Sequence, residues 1–233
     1  MEERNVIRLK KEEFDLREYV KNSLGKGKVS RVKIEYTPVG EKIVITTSKP
    51  GLVIGRGGEN IEHLTKTVKG KFGLENPRIE IEEIKDPSLD AQLVADEIAM
   101  GLEGSGPLKF KVIAYRTLQK IMRAGALGSE IRIHGKVPSS RAKQWRFSQG
   151  YLKKTGESAN VVDRAKSRAE TKPGTVGIRV SILRPEAKLK DKITINDEMI
   201  QKLKEGATLS DIKEESKSKK KSTKKTSKKV KKE

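Results

Sequence analysis

The chain has 233 residues, in which 52 lysines and arginines stand against 32 acidic residues, giving a formal net charge of +20. Its isoelectric point of about 9.9 is typical of a protein that binds nucleic acid. It has no cysteine, which excludes disulfides and thiolate metal sites. No stretch approaches the roughly 18 apolar residues of a membrane span, and the charged N-terminus lacks the apolar run of a secretion signal. We therefore expect a soluble cytoplasmic protein of one or two domains that contacts no membrane.

Apolar spacing in the first third of the chain predicts a domain over residues 12–86, preceded by an N-terminal extension at 1–11. Leu16, Tyr19 and Val20 fit the i, i+3, i+4 spacing of a helix, and the segments that follow alternate as strands do. The predicted order is helix, strand, strand, helix, helix, strand, at residues 12–23, 32–36, 43–47, from Pro50, 61–68 and 79–81.

A glycine-rich stretch lies between the two central helices, where residues 52–61 read LVIGRGGENI. Gly55 and Gly58 would let the main chain approach a ligand with almost no side chain in between. Amides at the start of the next helix, aided by the helix dipole, would then point at a phosphate, and Arg56 adds a positive charge. The alternative is a loop that only turns the chain.

The pattern I-G-x-x-G-x-x-I resembles the nucleic-acid-gripping loop of a KH domain, and the order of elements is that of the type II form. KH domains clamp about four nucleotides through such a loop. The resemblance implies that Gly55, Arg56, Gly57 and Gly58 contact an RNA backbone.

A second domain is predicted over residues 87–190. Asp86 is expected to cap its first helix, with Pro87 at the first helical position. Val94, Ile98 and Leu102 mark that helix, and a second apolar face marks another helix after a break at residues 104–107. Strands are predicted at residues 131–134, 136–151, 161–171 and 176–182. The fold class is therefore α+β: a type II KH domain, then an α/β sandwich-like domain of two helices packed on a four-stranded sheet.

The last segment, residues 191–233, is expected to be a largely disordered basic tail. From Lys213 onward it has eleven lysines and three glutamates, which carry +8 of the net charge of +20. A segment of this composition cannot bury a core of its own.

Three basic clusters in the second domain are candidates for contact with a polyanion. Four residues form one stripe opposite the apolar face of the second helix: Lys109, Arg116, Lys120 and Arg123. Three more residues alternate with small ones along a predicted strand: Arg164, Lys166 and Arg168. Residues on one strand face are about 7 Å apart, which is close to the spacing of successive phosphates. The alternative for both clusters is an ordinary solvated face.

The third cluster interleaves basic and aromatic residues, and it consists of Lys136, Arg141, Lys143 and Arg146 among three aromatics. Strand alternation places Trp145, Phe147 and Tyr151 on the inner side, with Arg146 and Ser148 outside. Aromatics among cations can stack on bases, whereas a small domain needs its few large aromatics in the core. We favour the core for these aromatics.

The whole arrangement resembles the small-subunit ribosomal protein number three family, in its archaeal and eukaryotic form, over roughly residues 10–185. The residues that carry the resemblance are 49–58, Ala114-Tyr115-Arg116, 135–138 with 141–143, and Gly177-Ile178-Arg179-Val180. It implies a structural protein in the head of the small ribosomal subunit, bound to ribosomal RNA and neighbouring head proteins.

The resemblance also implies a place beside the path by which messenger RNA enters. In bacterial members, basic residues at the start of the second helix of the C-terminal domain are linked to handling structured messenger. The matching segment here keeps Lys111 and Arg116 but has Val112 and Tyr115 where family members often carry basic residues.

Two other functions compete with this one, a free-standing KH regulator of messenger RNA and a nucleic-acid-cleaving enzyme. The histidines, His63 and His134, fall into no catalytic spacing. Residues 101–109 superficially suggest a nucleotide loop, but Pro107 occupies the position that the Walker pattern gives to lysine. We therefore expect no catalytic residue, no cofactor and no metal.

Overall fold

The computed structural model describes residues 2–38, 40–74, 76–187 and 189. The predicted tail at 191–233 lies outside the described residues. Among the described residues, no helix is both long and apolar enough to span a bilayer.

The N-terminal half of the described fold, up to Glu83, has the predicted order of elements. Its bounds are α1 Glu2–Leu24, β1 Val29–Thr37, β2 Gly40–Thr47, α2 Pro50–Ile54, α3 Glu59–Phe72 and β3 Arg78–Glu83. The sheet order is β1-β2-β3, with β1 antiparallel and β3 parallel to β2. Helices α1 and α3 share one hydrophobic core with the sheet, in which Val20, Ile43 and Val68 are fully buried.

Helix α1 begins ten residues before the predicted start, at Glu2 instead of residue 12. Apolar spacing could not indicate this first part because Val6 and Ile7 pack against no core and are each 56% exposed. The segment instead carries charge pairs along the helix, such as Arg8 with Glu12 at 3.0 Å. Each pair at this spacing stabilises a helix by about 0.2–0.5 kcal/mol.

The second half places two helices on one face of a four-stranded sheet, as predicted. Its bounds are α4 Ala91–Ser105, α5 Phe110–Arg123, β4 Gly128–Gly135, β5 Lys143–Gly150, β6 Asp163–Thr171 and β7 Gly174–Leu183. The sheet order is β5-β4-β7-β6, antiparallel throughout. Ile98 and Leu102 from α4 and Phe110 from α5 pack on inward residues such as Ile133 and Val180. On the other face, outward residues such as Arg146 and Lys166 are exposed.

The predicted cap at Asp86 is wrong, because the residue that caps α4 is Asp90. One oxygen of Asp90 accepts hydrogen bonds from the amides of Gln92 at 3.0 Å and Leu93 at 3.2 Å. Asp86 instead precedes a short 3-10 turn that begins at Pro87. Proline fits the first position of either kind of helical turn, so the dipeptide alone could not distinguish them.

Acidic side chains of the second half contact the segment that joins α1 to β1 and the start of β1 itself. Asp96 accepts from the amide of Gly27 at 3.2 Å, and Glu103 accepts from Lys26 at 2.8 Å. Asp163 pairs with Arg31 at 2.8 Å. The described residues up to 187 accordingly group as one compact unit, and the predicted boundary at residues 86–87 stays a prediction.

Candidate nucleic-acid interface

The glycine loop lies between two helices, as its motif predicted. Helix α2 ends at Ile54, a 3-10 turn covers Arg56–Gly58, and α3 starts at Glu59. Gly57 has φ 62°, in the left-handed region that favours glycine. At Gly55, with φ 78°, a Cβ would also lie 2.7 Å from the side-chain nitrogen of Asn60. Only glycine fits at residue 55 without displacing Asn60.

The loop exposes main chain more than it exposes charge. Gly58 is the N-cap of α3, and no side chain caps the first amides of this helix among the residues that the structure describes. Arg56 and Gly57 are exposed, and at Gly57 a Cβ would meet open space. The single cation Arg56 is offset by Glu59 in the first turn of α3. The loop can therefore hold an anion mainly through amides and the helix dipole.

The four cations of the α5 stripe are all exposed, but they are not equivalent. Lys120 pairs with Glu97 of α4 at 2.9 Å, which offsets its charge. Lys111, closer to the start of the helix, has its ammonium 4.9 Å from the centre of the Trp145 ring, a cation–π distance. Lys109, Arg116 and Arg123 therefore remain as the stripe residues without a described acidic partner.

The aromatic residues of β5 belong to the core. Phe147 is 7% exposed, and Phe110 packs against both it and Trp145, with ring centres 6.3 and 5.3 Å apart. The indole nitrogen of Trp145 donates to the carbonyl of Val137 at 2.9 Å. The prediction that Tyr151 shares this inner side is wrong, because β5 ends at Gly150 and Tyr151 is 52% exposed.

The outward face of the second sheet carries a row of cations that crosses all four strands. Arg146 of β5 lies opposite Arg132 of β4, which lies opposite Arg179 of β7, which lies opposite Lys166 of β6. Neighbouring strands are about 4.8 Å apart, so the row extends over about 14 Å. We call these four residues the cationic row. Arg164 and Arg168, two residues away on either side of Lys166, are exposed on the same face.

A buried carboxylate holds one end of the cationic row. Glu130 is 3% exposed and pairs with Arg132 at 2.5 Å, Arg146 at 3.0 Å and Lys154 at 2.9 Å. Burial alone would raise the pKa of Glu130, but hydrogen bonds and charge from Arg132 and Lys154 outweigh it and hold the pKa below its ordinary value. Glu130 is thus ionised at neutral pH and surrounded by three cations.

Comparison with known proteins supports the two halves separately and the chain as a whole. A family model described as KH domain matches residues 15–89, and one described as Ribosomal protein S3, C-terminal domain, matches residues 98–182. Small ribosomal subunit protein uS3 of Methanocaldococcus jannaschii is 39% identical over 199 residues, which is 85% of this chain and 95% of that protein. The chain belongs to the uS3 family.

Two further uS3 proteins show how the family varies in length. That of Methanobrevibacter smithii is 39% identical over 76% of this chain and 71% of its own length. That of Natronomonas pharaonis is 38% identical over 78% of this chain but only 59% of its own length. The glycine loop and the cationic row both lie inside the segments that the family models match.

Several residues on the outward face of the second sheet were not predicted from the sequence as binding residues. Arg132 and Arg179 alternate with buried isoleucines in their strands, so alternation alone places them on the outward face. Their meeting in one row follows from the register of four strands, which the sequence does not give. Nothing in the sequence marked Glu130 as buried, because a lone acidic residue in a strand is usually solvated. Lys154 likewise belonged to no pattern.

The remaining predicted cations lie at one end of the same sheet. Lys136 and Arg141 are exposed in the connection between β4 and β5, and Lys143 is exposed as the first residue of β5. The structure therefore joins Arg146 to the cationic row and leaves these three at the sheet end. Their contact with RNA stays a prediction.

Proposed function

We propose that the chain is a structural constituent of the small ribosomal subunit and binds its ribosomal RNA. The observation that carries this proposal is the 39% identity over 95% of a protein named small ribosomal subunit protein uS3. The glycine loop and the cationic row support it, because they offer amides and guanidinium groups to phosphates from two separate parts of the fold.

Within the subunit, we place the chain in the head, beside neighbouring head proteins, in cytoplasmic ribosomes. The exposed start of α5 is our candidate for the side that faces incoming messenger RNA. Lys109 and Arg116 are exposed there without a described acidic partner, and Lys111 is exposed nearby. Exposed Val112 and Tyr115 give this surface an apolar component.

Sedimentation of the tagged full chain from cells tests the proposal. A structural constituent is expected to sediment almost wholly with small subunits and intact ribosomes, and to stay there through a wash in moderate salt. A large pool of free protein, or of protein on messenger RNA outside the subunit, would instead favour a free-standing KH regulator.

A nucleic-acid-cleaving enzyme receives no support from the described geometry. His63 is on α3 and His134 is on β4, in different halves of the fold. No cluster of three or more His, Asp or Glu residues suited to a metal ion occurs in the part of the chain that the structure describes.

A further inference from the structure

We propose that the cleft beside Glu130 on the outward face of the second sheet binds an RNA phosphodiester, and that Glu130 positions the cations that bind it. This inference deepens the proposed binding of ribosomal RNA and rests on it. Arg146 and Arg164 were already candidates from the sequence, and the structure adds Glu130, Lys154 and Arg179 beside them.

The cleft has a volume of about 170 Å³ and is bounded by several strands and by the segment after β5. Its polar lining residues include Arg132, Lys154, Arg164, Arg179 and the hydroxyl-bearing Ser181, arranged around Glu130. Leu152 and Val162 form an apolar wall. The opening suits a phosphate with its first waters, and none of the described lining residues has an aromatic ring on which a base could stack.

The charge around the cleft favours an anion despite the carboxylate inside it. Glu130 pairs with Arg132, Arg146 and Lys154, so one negative charge faces three positive ones. Arg164 and Arg179 add two more cations to the lining. The cluster as a whole therefore keeps a positive charge on a rigid sheet.

The carboxylate brings together cations that would otherwise point freely into water. Arg132 is on β4, Arg146 is on β5, and Lys154 is in the segment after β5, and Glu130 contacts all three. Each long basic side chain loses rotamer entropy when it is fixed. Fixing these residues before RNA arrives lowers that cost at binding. Removing the negative charge should consequently weaken the binding of a negative ligand.

The expectation that removing a negative charge weakens RNA binding can be tested directly, with the full chain and small-subunit ribosomal RNA transcribed in vitro. Glu130→Gln keeps the shape of the side chain and raises the net charge by one, and we expect it to weaken RNA binding about three- to tenfold. Glu170→Gln is the matched control, because Glu170 is exposed on β6 of the same sheet and the charge change is identical. It should leave affinity unchanged or slightly higher.

Arg179→Gln provides a second variant that leaves Glu130 and its partners in place. It should weaken binding and reduce the slope of log affinity against log salt by about one, as expected for the loss of one phosphate contact. Inorganic phosphate at millimolar concentration should compete only weakly, because the proposed ligand is one phosphodiester within a longer strand.

The outcomes separate this proposal from the proposed function. Folded Glu130→Gln protein that binds as tightly as wild type, or more tightly, overturns the positioning role. Arg179→Gln protein with wild-type affinity and salt slope overturns the site, including where Glu130→Gln does not fold. If wild type binds the ribosomal RNA no better than an unrelated RNA of equal length, the proposed function itself fails.

Discussion

The Ser30 hydroxyl donates a 2.6 Å hydrogen bond to one oxygen of Asp90, while the other oxygen caps helix α4. Ser30 belongs to β1 of the KH half and Asp90 begins the first helix of the second half. Asp90 is 4% exposed, and its hydrogen bonds with Ser30 and Leu93 are buried. A single carboxylate thus caps α4 and connects it to β1.

Asp90→Ala should destabilise the full chain by about 2–3 kcal/mol, because it removes a helix cap worth about 1 kcal/mol and leaves a buried donor unpaired. Ser30→Ala removes only the connection and should cost about 1 kcal/mol. The measurement is urea unfolding of each variant. Asp86→Ala is the control, since Asp86 caps no helix with its side chain; an equal loss from Asp86→Ala would show that the cap has been misplaced.

Glu130 should make part of the stability of this protein dependent on pH. Its folded pKa is held below the ordinary value of 4.5. A carboxyl group whose pKa is lower in the folded state stabilises the fold at pH values above its unfolded pKa. This stabilisation is lost as the pH falls through the folded pKa. Glu130→Gln should therefore cost about 1–2 kcal/mol at pH 7, since its partners are partly exposed, and the difference from wild type should shrink below pH 4.5.

Urea titrations at several pH values between 7 and 3 measure this difference. Glu97→Gln serves as the control, because Glu97 and Lys120 form an exposed pair and should contribute little at any pH. Glu13 and Glu103 also have pKa values lowered by lysine partners. Glu130→Gln should therefore still lose some stability as the pH falls. A difference in unfolding free energy between wild type and Glu130→Gln that stays constant across the pH range would contradict the prediction.

The sequence was sufficient to predict features that repeat along a single helix or strand. Alternation in Val176–Ile182 and the i, i+4 spacing of Val94 and Ile98 report burial directly, because each residue type repeats with the period of its backbone. It was insufficient where partners come from distant segments. The cationic row needs four strands in register, and the choice of Asp90 over Asp86 depends on how a proline turn packs before α4.

The glycine loop can be tested by adding a charge with little change in shape. At Gly57 a Cβ would meet nothing within 4 Å among the described atoms, and Asp and Asn tolerate left-handed backbone better than other residues. Gly57→Asp should weaken binding of ribosomal RNA roughly three- to tenfold, or about 0.7–1.4 kcal/mol. Gly57→Asn imposes the same backbone cost without the charge and should stay within about twofold. Equal affinities for the two variants would remove the loop from the RNA interface.

The α5 stripe offers a comparison between a paired and an unpaired cation. Lys120 must leave Glu97 before it can contact a phosphate, and an exposed pair of this kind is worth up to about 1 kcal/mol. We expect Arg116→Ala to slow translation through a stable messenger hairpin about two- to fivefold more than Lys120→Ala does, with little difference on an unstructured messenger. The double variant Glu97→Gln with Lys120→Gln keeps the net charge and should behave as wild type. If Lys120→Ala slows translation of the hairpin template as much as Arg116→Ala does, the Lys120–Glu97 ion pair does not explain the difference expected between the two variants. Equal slowing on the hairpin and unstructured templates would argue against a place beside incoming messenger RNA.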